Sequence, residues 1–401
     1  MTPWMPTPAI PTVAETLKHP AFPTAIWNLE PDRKGLVPVA EGRGGPFNIS
    51  WEIHGAGPIK LIFIMGLGGL KSAWQRQTLH FGHERREQYS VLLIDNRGMG
   101  DSDKPLMRYS TSEMARDIVE VLAHQTVGWL PRSFPLLDPT TTSAPRPRSL
   151  HVVGISLGGM IAQELACQIP WALSSLSLVC TAAAVENTTS FAEHMAQRAS
   201  LLMPKTVDRS VADSARQIFA HAWLAAPDDV RLPEPGRTPR CGPPPPPSSP
   251  WLSFLSNNRN SFGVFGSGGG GEGDGQARYL RFETNAQRFV AQEMHKRLDP
   301  ARFGLKGFLL QLIAAGWHHK SAAQLREMAD RVGRERILVM HGTEDGMISL
   351  PHGQKLIEFI QPGKGIIVEG MGHAPLVERW EWFNRTIEEH CALGERLDGR
   401  A

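Results

Sequence analysis

The sequence predicts an α/β fold, a mostly parallel central sheet flanked by helices, with an inserted helical cap. Three observations carry that expectation. Six short apolar runs alternate with helical patterns, the order that strands and crossover helices take in a parallel sheet. Between the fourth and fifth runs lie about 150 residues with several helical patterns and no strand run. The pentapeptide "GISLG" stands where the third run passes directly into a helical pattern.

Taken in order, residues 1–35 are rich in proline and turn formers and read as an N-terminal arm, extended across a surface. "LVPVAEGRGGPFNISWEIHG" offers two strand-like runs around a turn, an antiparallel hairpin. The six apolar runs are Ile59–Met65, Ser90–Asp95, Ser149–Ile155, Leu176–Cys180, Arg336–Gly342 and Gly365–Gly370. Apolar on both alternating faces, they suit a sheet covered on each side. Helical patterns fall at Ser112–His124, Leu157–Gln168, Leu350–Ile360 and Val377–Cys391, and Gly128–Arg148 reads as a surface loop. The first part of the core is placed at 36–181, the helical cap at 182–332 and the last part of the core at 333–401. Within the cap, five consecutive prolines and four consecutive glycines mark a flexible loop at about 227–277.

Composition narrows the partners. The chain of 401 residues carries 42 Lys+Arg against 40 Asp+Glu, a net charge of +2, and lacks a basic run of five or more. Nucleic acid and anionic membrane surfaces are therefore poor candidates, and a small-molecule substrate is expected. Cys167, Cys180, Cys241 and Cys391 are widely spread without a CxxC pair, so neither a disulfide framework nor a zinc site is indicated. No metal or organic cofactor is called for. No apolar stretch approaches the roughly 20 residues of a membrane span, and the N-terminus lacks the pattern of a signal peptide, so a cytoplasmic protein is expected.

The chemistry centres on Ser156. Alone, a G-x-S-x-G match is weak, but here "LHVV" precedes it and "LGGMIAQELA" follows it. A strand turning sharply into a helix needs small residues such as Gly154 and Gly158, and presents the serine hydroxyl at the carboxyl edge of the sheet. A serine hydroxyl needs a base, and the base needs an orienting group. Of 15 histidines, His373 lies in "EGMGHAPLVER", between the last strand run and the last helical pattern, at that same edge. The acid is assigned to Asp345 in "HGTEDGMI", after the preceding strand, with Glu344 beside it as the alternative. His341 reads as a packing residue next to Gly342.

Several motifs in order resemble the α/β-hydrolase superfamily. "MGLGG" (Met65–Gly69) follows the first central strand where that family usually has His-Gly-x-x-Gly. "DNRGMGDSDKP" is similar to its Asp-x-Arg-Gly-x-Gly-x-Ser turn, and the serine elbow, "HGTEDGMI" and "GMGHAP" complete the series. The resemblance implies an α/β-hydrolase fold, a Ser156, Asp345, His373 triad, and an oxyanion hole made by the backbone N–H groups of Leu67 and Leu157. Asp95, Arg97 and Gly98 are read as structural. Branches with Asp at the elbow, such as epoxide hydrolases, do not fit a serine there, and Tyr279 is the single tyrosine of the cap. Cap residues such as Phe191, Met195, Phe219, Trp223, Phe308, Leu309 and Trp317 are expected to pack the cap, with a minority lining a pocket. The expected function is a serine esterase or lactonase acting on a small, largely apolar substrate. The alternatives are a carbon–carbon bond hydrolase or acyltransferase on the same triad, or a non-catalytic small-molecule receptor.

Overall fold

A computed structural model describes residues 9–131, 148–186, 205–245 and 277–400. At its centre is an eight-stranded sheet in the order β1-β2-β4-β3-β5-β6-β7-β8. β1 (Arg33–Val39) and β2 (Phe47–His54) form the expected antiparallel hairpin, and β2 pairs antiparallel with β4 (Tyr89–Ile94). All other pairings are parallel, through β3 (Ile59–Ile64), β5 (Leu150–Ile155), β6 (Leu173–Val179), β7 (Ile337–Gly342) and β8 (Lys364–Val368). β5 and β7 are buried along their whole length, which is why they read as continuous rather than alternating apolar runs.

Among the described residues the α-helices of more than three residues, in chain order, are α1 (Val13–Lys18), α2 (Thr111–Ala123), α3 (Leu157–Gln168), α4 (Val207–Ile218), α5 (His221–Ala225), α6 (Asn285–Arg297), α7 (Leu305–Trp317), α8 (Ala322–Val332), α9 (Leu350–Ile360), α10 (Pro375–Glu378) and α11 (Trp380–Leu397). Successive side chains of β3 point to opposite faces, as a strand requires. Ile62 and Ile64 belong to one buried cluster that also takes in Ile118 of α2, Met160 of α3, Leu325 of α8 and Leu356 of α9. Leu61 and Phe63 meet Trp74, Phe81 and, from α11, Phe383 and Ile387. The sheet is thus covered on both sides, and α4 to α7, the segment read from the sequence as the cap, lie in the chain between β6 and β7.

Four expectations of organisation need correcting. The arm is not simply extended: Thr12 and Glu15 close a capping box that starts α1. Its next turn buries Ala21, Phe22 and Ala25 against Val290, Ala291 and Met294 of α6. The segment after α2 is not all surface loop, because Trp129 and Leu130 are buried in the main core; residues 132–147 lie outside the described residues. Residues 227–245 are held rather than loose. Buried Asp228 pairs with Arg288 at 2.7 Å, and Cys241 bridges to Leu29 of the arm. Residues 246–276, with most of the proline and glycine runs, lie outside the described residues. Finally α8, read as cap, packs with Leu325, Met328, Ala329 and Val332 into the core, so the core resumes before residue 333. Among the described residues no helix is long and apolar enough to cross a membrane.

Candidate active site

The elbow is built by the end of β5 and the start of α3. Ser156 sits between them at φ 57° and ψ −125°, a conformation a non-glycine residue adopts at a cost of about 1–3 kcal/mol. Two glycines make the turn possible. A Cβ on Gly154 would lie 2.3 Å from the Gly158 carbonyl oxygen, and one on Gly158 would lie 2.1 Å from that of Ile64. The surroundings hold the strain in place. The Ser156 N–H donates to the Val179 oxygen at 3.0 Å, and the Thr181 hydroxyl donates to the Ser156 oxygen at 2.7 Å.

Two further strands deliver the expected partners to the same edge. Asp345 follows β7 and His373 follows β8, and the His373 Nδ1 lies 2.7 Å from Asp345 Oδ2. Asp345 Oδ1 accepts the N–H groups of Met347 at 2.9 Å and Ile348 at 2.8 Å, which fixes the carboxylate. His341 Nε2 stands 3.2 Å from Asp345 Oδ2, besides its 2.7 Å contact with the Ile348 oxygen. Burial alone would raise the Asp345 pKa. The charge of His373 and the hydrogen bonds of His341 and His373 outweigh it and hold the carboxyl well below its usual range. A carboxylate facing Nδ1 keeps the proton on that nitrogen and leaves Nε2 as the base. Glu344 is exposed and makes no such contact. Asp and His are therefore joined, while among the described residues no hydrogen bond links Ser156 Oγ to His373.

The loop after β3 approaches the serine from the other side. A Cβ on Gly66 would lie 2.9 Å from Ser156 Cβ and 3.4 Å from its Oγ, so this loop runs close beside Ser156. Leu67 follows, and the Gly69 N–H closes the turn on the Gly66 oxygen at 3.2 Å. Leu157 opens α3, where a backbone N–H has no intrahelical acceptor. Met65, standing where the resembling family has His, packs its side chain under Gly69, and its carbonyl accepts from Asn96 at 2.9 Å. Asp95 receives both the N–H and the Nζ of Lys71 at 2.8 Å, and Arg97 forms a two-toothed pair with Asp117 at 2.6 Å.

Three residues at this edge were missed in the sequence. His341 touches Asp345 as described. Glu378 on α10 accepts the N–H of Gly372, next to His373, at 3.1 Å, and that of Ala220 in the cap at 3.2 Å. Burial raises its pKa to about 7. Gln311 of α7 is fully buried. Its Oε1 accepts the Gly68 N–H at 3.0 Å and its Nε2 donates to the Arg97 oxygen at 2.9 Å. A usable signal existed for Gln311, as the single polar residue in "FLLQLIAA", since a buried amide demands partners. Of the expected cap residues, Phe219 stacks on Trp223 at 4.6 Å, whereas Leu309 and Trp317 point outward, Trp317 at 72% exposure. Phe191 and Met195 lie outside the described residues.

One donor set deserves a metal test. Cys180, Asp345 and His373 place one ligand atom each within 4.8 Å of one another. The thiol is pushed well above its ordinary pKa by burial and by the Asp345 carboxylate, and Asp345 and His373 are already bonded together. A neutral thiol beside an intact Asp–His pair fits acid–base chemistry better than metal ligation.

Comparison with known proteins agrees with this architecture. The RutD protein of Azorhizobium caulinodans, named for carbamate hydrolysis, is 30% identical over 136 residues, covering 34% of this chain and 42% of its own length. The 3-oxoadipate enol-lactonase 2 of Acinetobacter baylyi is 29% identical over 125 residues, covering 31% of this chain and 38% of its own. The match thus spans about two fifths of these curated relatives. The enol-lactonase structure from Burkholderia xenovorans LB400 superposes with a TM-score of 0.53 at 16% identity, over 89% of this chain and 100% of that one, which is a likeness of fold. The sequence profile of the alpha/beta hydrolase family matches residues 53–386. With that match over most of its length, the chain belongs to the α/β-hydrolase family.

Proposed function

We propose that the chain is a serine hydrolase that cleaves the carboxylic ester or lactone of a small, largely apolar substrate through an acyl-enzyme. The observation that carries the reading is the 2.7 Å Asp345–His373 contact at the sheet edge where Ser156 is held in a strained elbow. His373 Nε2 takes the proton from Ser156 as Oγ attacks the carbonyl carbon. The oxyanion is met by the N–H groups of Leu67 and Leu157, and removing one such donor costs about 3–4 kcal/mol of transition-state stabilisation in other enzymes. Imidazolium then protonates the departing alkoxide, and water repeats the cycle on the acyl-enzyme, returning Ser156 and releasing the acid. Asp345 stabilises the imidazolium throughout.

The test is labelling of the purified protein with a fluorophosphonate, with the adduct located by mass spectrometry. A single adduct on Ser156, absent from Ser156→Ala and strongly slowed in His373→Ala, is the expected result. Turnover of a panel of short-chain esters, lactones and carbamates then selects the substrate class. A folded protein that takes no label overturns the reading in favour of a binding role.

A further inference from the structure

We propose that Gln311, a cap residue, is the positioning residue of the oxyanion loop: its amide selects which backbone N–H of that loop faces the nucleophile. This deepens the serine-hydrolase reading and rests on it for its kinetic consequences.

The loop Gly66–Gly69 has four N–H groups, two of them committed within the described structure. Gly69 spends its own on closing the turn to Gly66. Gly68, at φ 65°, spends its own on Gln311 Oε1 at 3.0 Å. Leu67, like Gly66, donates to no described residue, and it follows Gly66, where a Cβ would lie 2.9 Å from that of Ser156. If the Gly68 N–H lost its acceptor, nothing else among the described residues would hold the Leu67–Gly68 peptide in its present sense, because a glycine at Gly68 also permits the opposite one. The second half of the amide completes the clamp. Gln311 Nε2 donates to the Arg97 oxygen, and Arg97 is locked by Asp117.

The helix is seated for this task. Gly307, one turn earlier, presses on the turn after Arg97: a Cβ there would lie 2.1 Å from the Gly98 oxygen. Phe308 covers Gly68, where a Cβ would lie 2.8 Å from its ring. Gln311 is fully buried, so an unsatisfied amide has no water to turn to. α7 is thereby wired to this loop through one neutral side chain.

The experiment uses Gln311→Met, which keeps length and packing without hydrogen bonds, and Gln311→Glu, which keeps an oxygen toward Gly68. Met328→Ala on α8 is the control for lost stability, since Met328 is a buried core residue that makes no hydrogen bond to the loop. With p-nitrophenyl butyrate, Gln311→Met is expected to lose kcat about 10–100-fold with KM changed less than about threefold. The affinity of phenylboronic acid, which adds to Ser156 as a tetrahedral anion, falls by the same factor. Butyrate, a ground-state ligand, binds as before. Gln311→Glu retains more turnover than Gln311→Met, and Met328→Ala keeps kcat while losing thermal stability. Amide exchange of the Gly68 N–H, measured without any substrate, speeds up in Gln311→Met. Folded Gln311→Met with wild-type kcat, or with boronate and butyrate weakened alike, overturns the proposal. So does unchanged exchange at Gly68. Wild-type protein that neither turns over the ester nor takes the fluorophosphonate label overturns the hydrolase reading instead, and the exchange result still decides whether Gln311 holds the loop.

Discussion

Two loops at the carboxyl edge of the sheet are tied to the cap by different chemistry. The His373 loop is held by a carboxylate: Glu378 gathers the N–H groups of Gly372 and Ala220, while the His373 N–H reaches the Ile218 oxygen at 2.6 Å. The loop after β3 is held by a neutral amide, Gln311, between Gly68 and Arg97. A carboxylate can lose its charge near neutral pH and an amide cannot. One tie therefore brings pH into the cap–core contact, and the other keeps its hydrogen bonds at any pH at which the protein folds.

The largest expected effect comes from breaking the His373 side outright. Asp345→Asn leaves the shape but offers an amide to Nδ1, favouring the wrong tautomer; turnover falls on the order of 10³–10⁴-fold, read as kcat on a reactive ester. Next is the steric seat of the opposite tie. Gly307→Ala drives a methyl toward the Gly98 oxygen and lifts α7, and with it Gln311. A loss of about 1–3 kcal/mol in denaturant unfolding, with a fall in kcat, is expected, and unchanged values for both would refute the seating.

Glu378→Gln sharpens the difference in charge. Burial holds the Glu378 pKa at about 7 in the folded protein against an ordinary carboxyl value of 4.5, so the folded state binds the extra proton. Its contribution is present below about pH 4.5 and is lost as pH rises to about 7, with a slope of up to about 1.4 kcal/mol per pH unit. The variant is expected to lack that slope, seen as the wild-type minus variant stability between pH 5 and 8. A difference that stays flat across that window removes Glu378 as the titrating tie. The smallest effect belongs to the outer face of α7. Ile313→Thr, at a 45% exposed position, is expected to move stability by less than about 0.5 kcal/mol and leave kcat alone.

Much of this edge was legible because strand runs, elbow and His loop are local patterns. "LHVVGISLGG" fixes its own turn through Gly154 and Gly158, and Asp345 and His373 each follow an apolar run. The ties to the cap are long-range. Gln311 and Gly68 lie 243 residues apart, and Ala220 and Glu378 lie 158 apart, so no window of sequence contains either pair. α7 is apolar around most of its circumference, and periodicity did not tell which face docks. The small residues Gly307 and Ala314, with Gln311, turn inward, while Leu305 and Trp317 stay at the surface. The arm was misread for the opposite reason: Thr12 and Glu15 are a local helix start, passed over among the prolines.

That arm bears on the order in which the chain is made. Ala21, Phe22 and Ala25 leave the ribosome more than 250 residues ahead of the surface that buries them, Val290 to Met294. At about 5–20 residues per second, those apolar side chains wait tens of seconds without their partner. The sheet can assemble strand by strand through β6 in that interval, before the face of α6 that receives the arm exists. Fastening of the arm is thus a late event, completed only once Val290 to Met294 of α6 have been made.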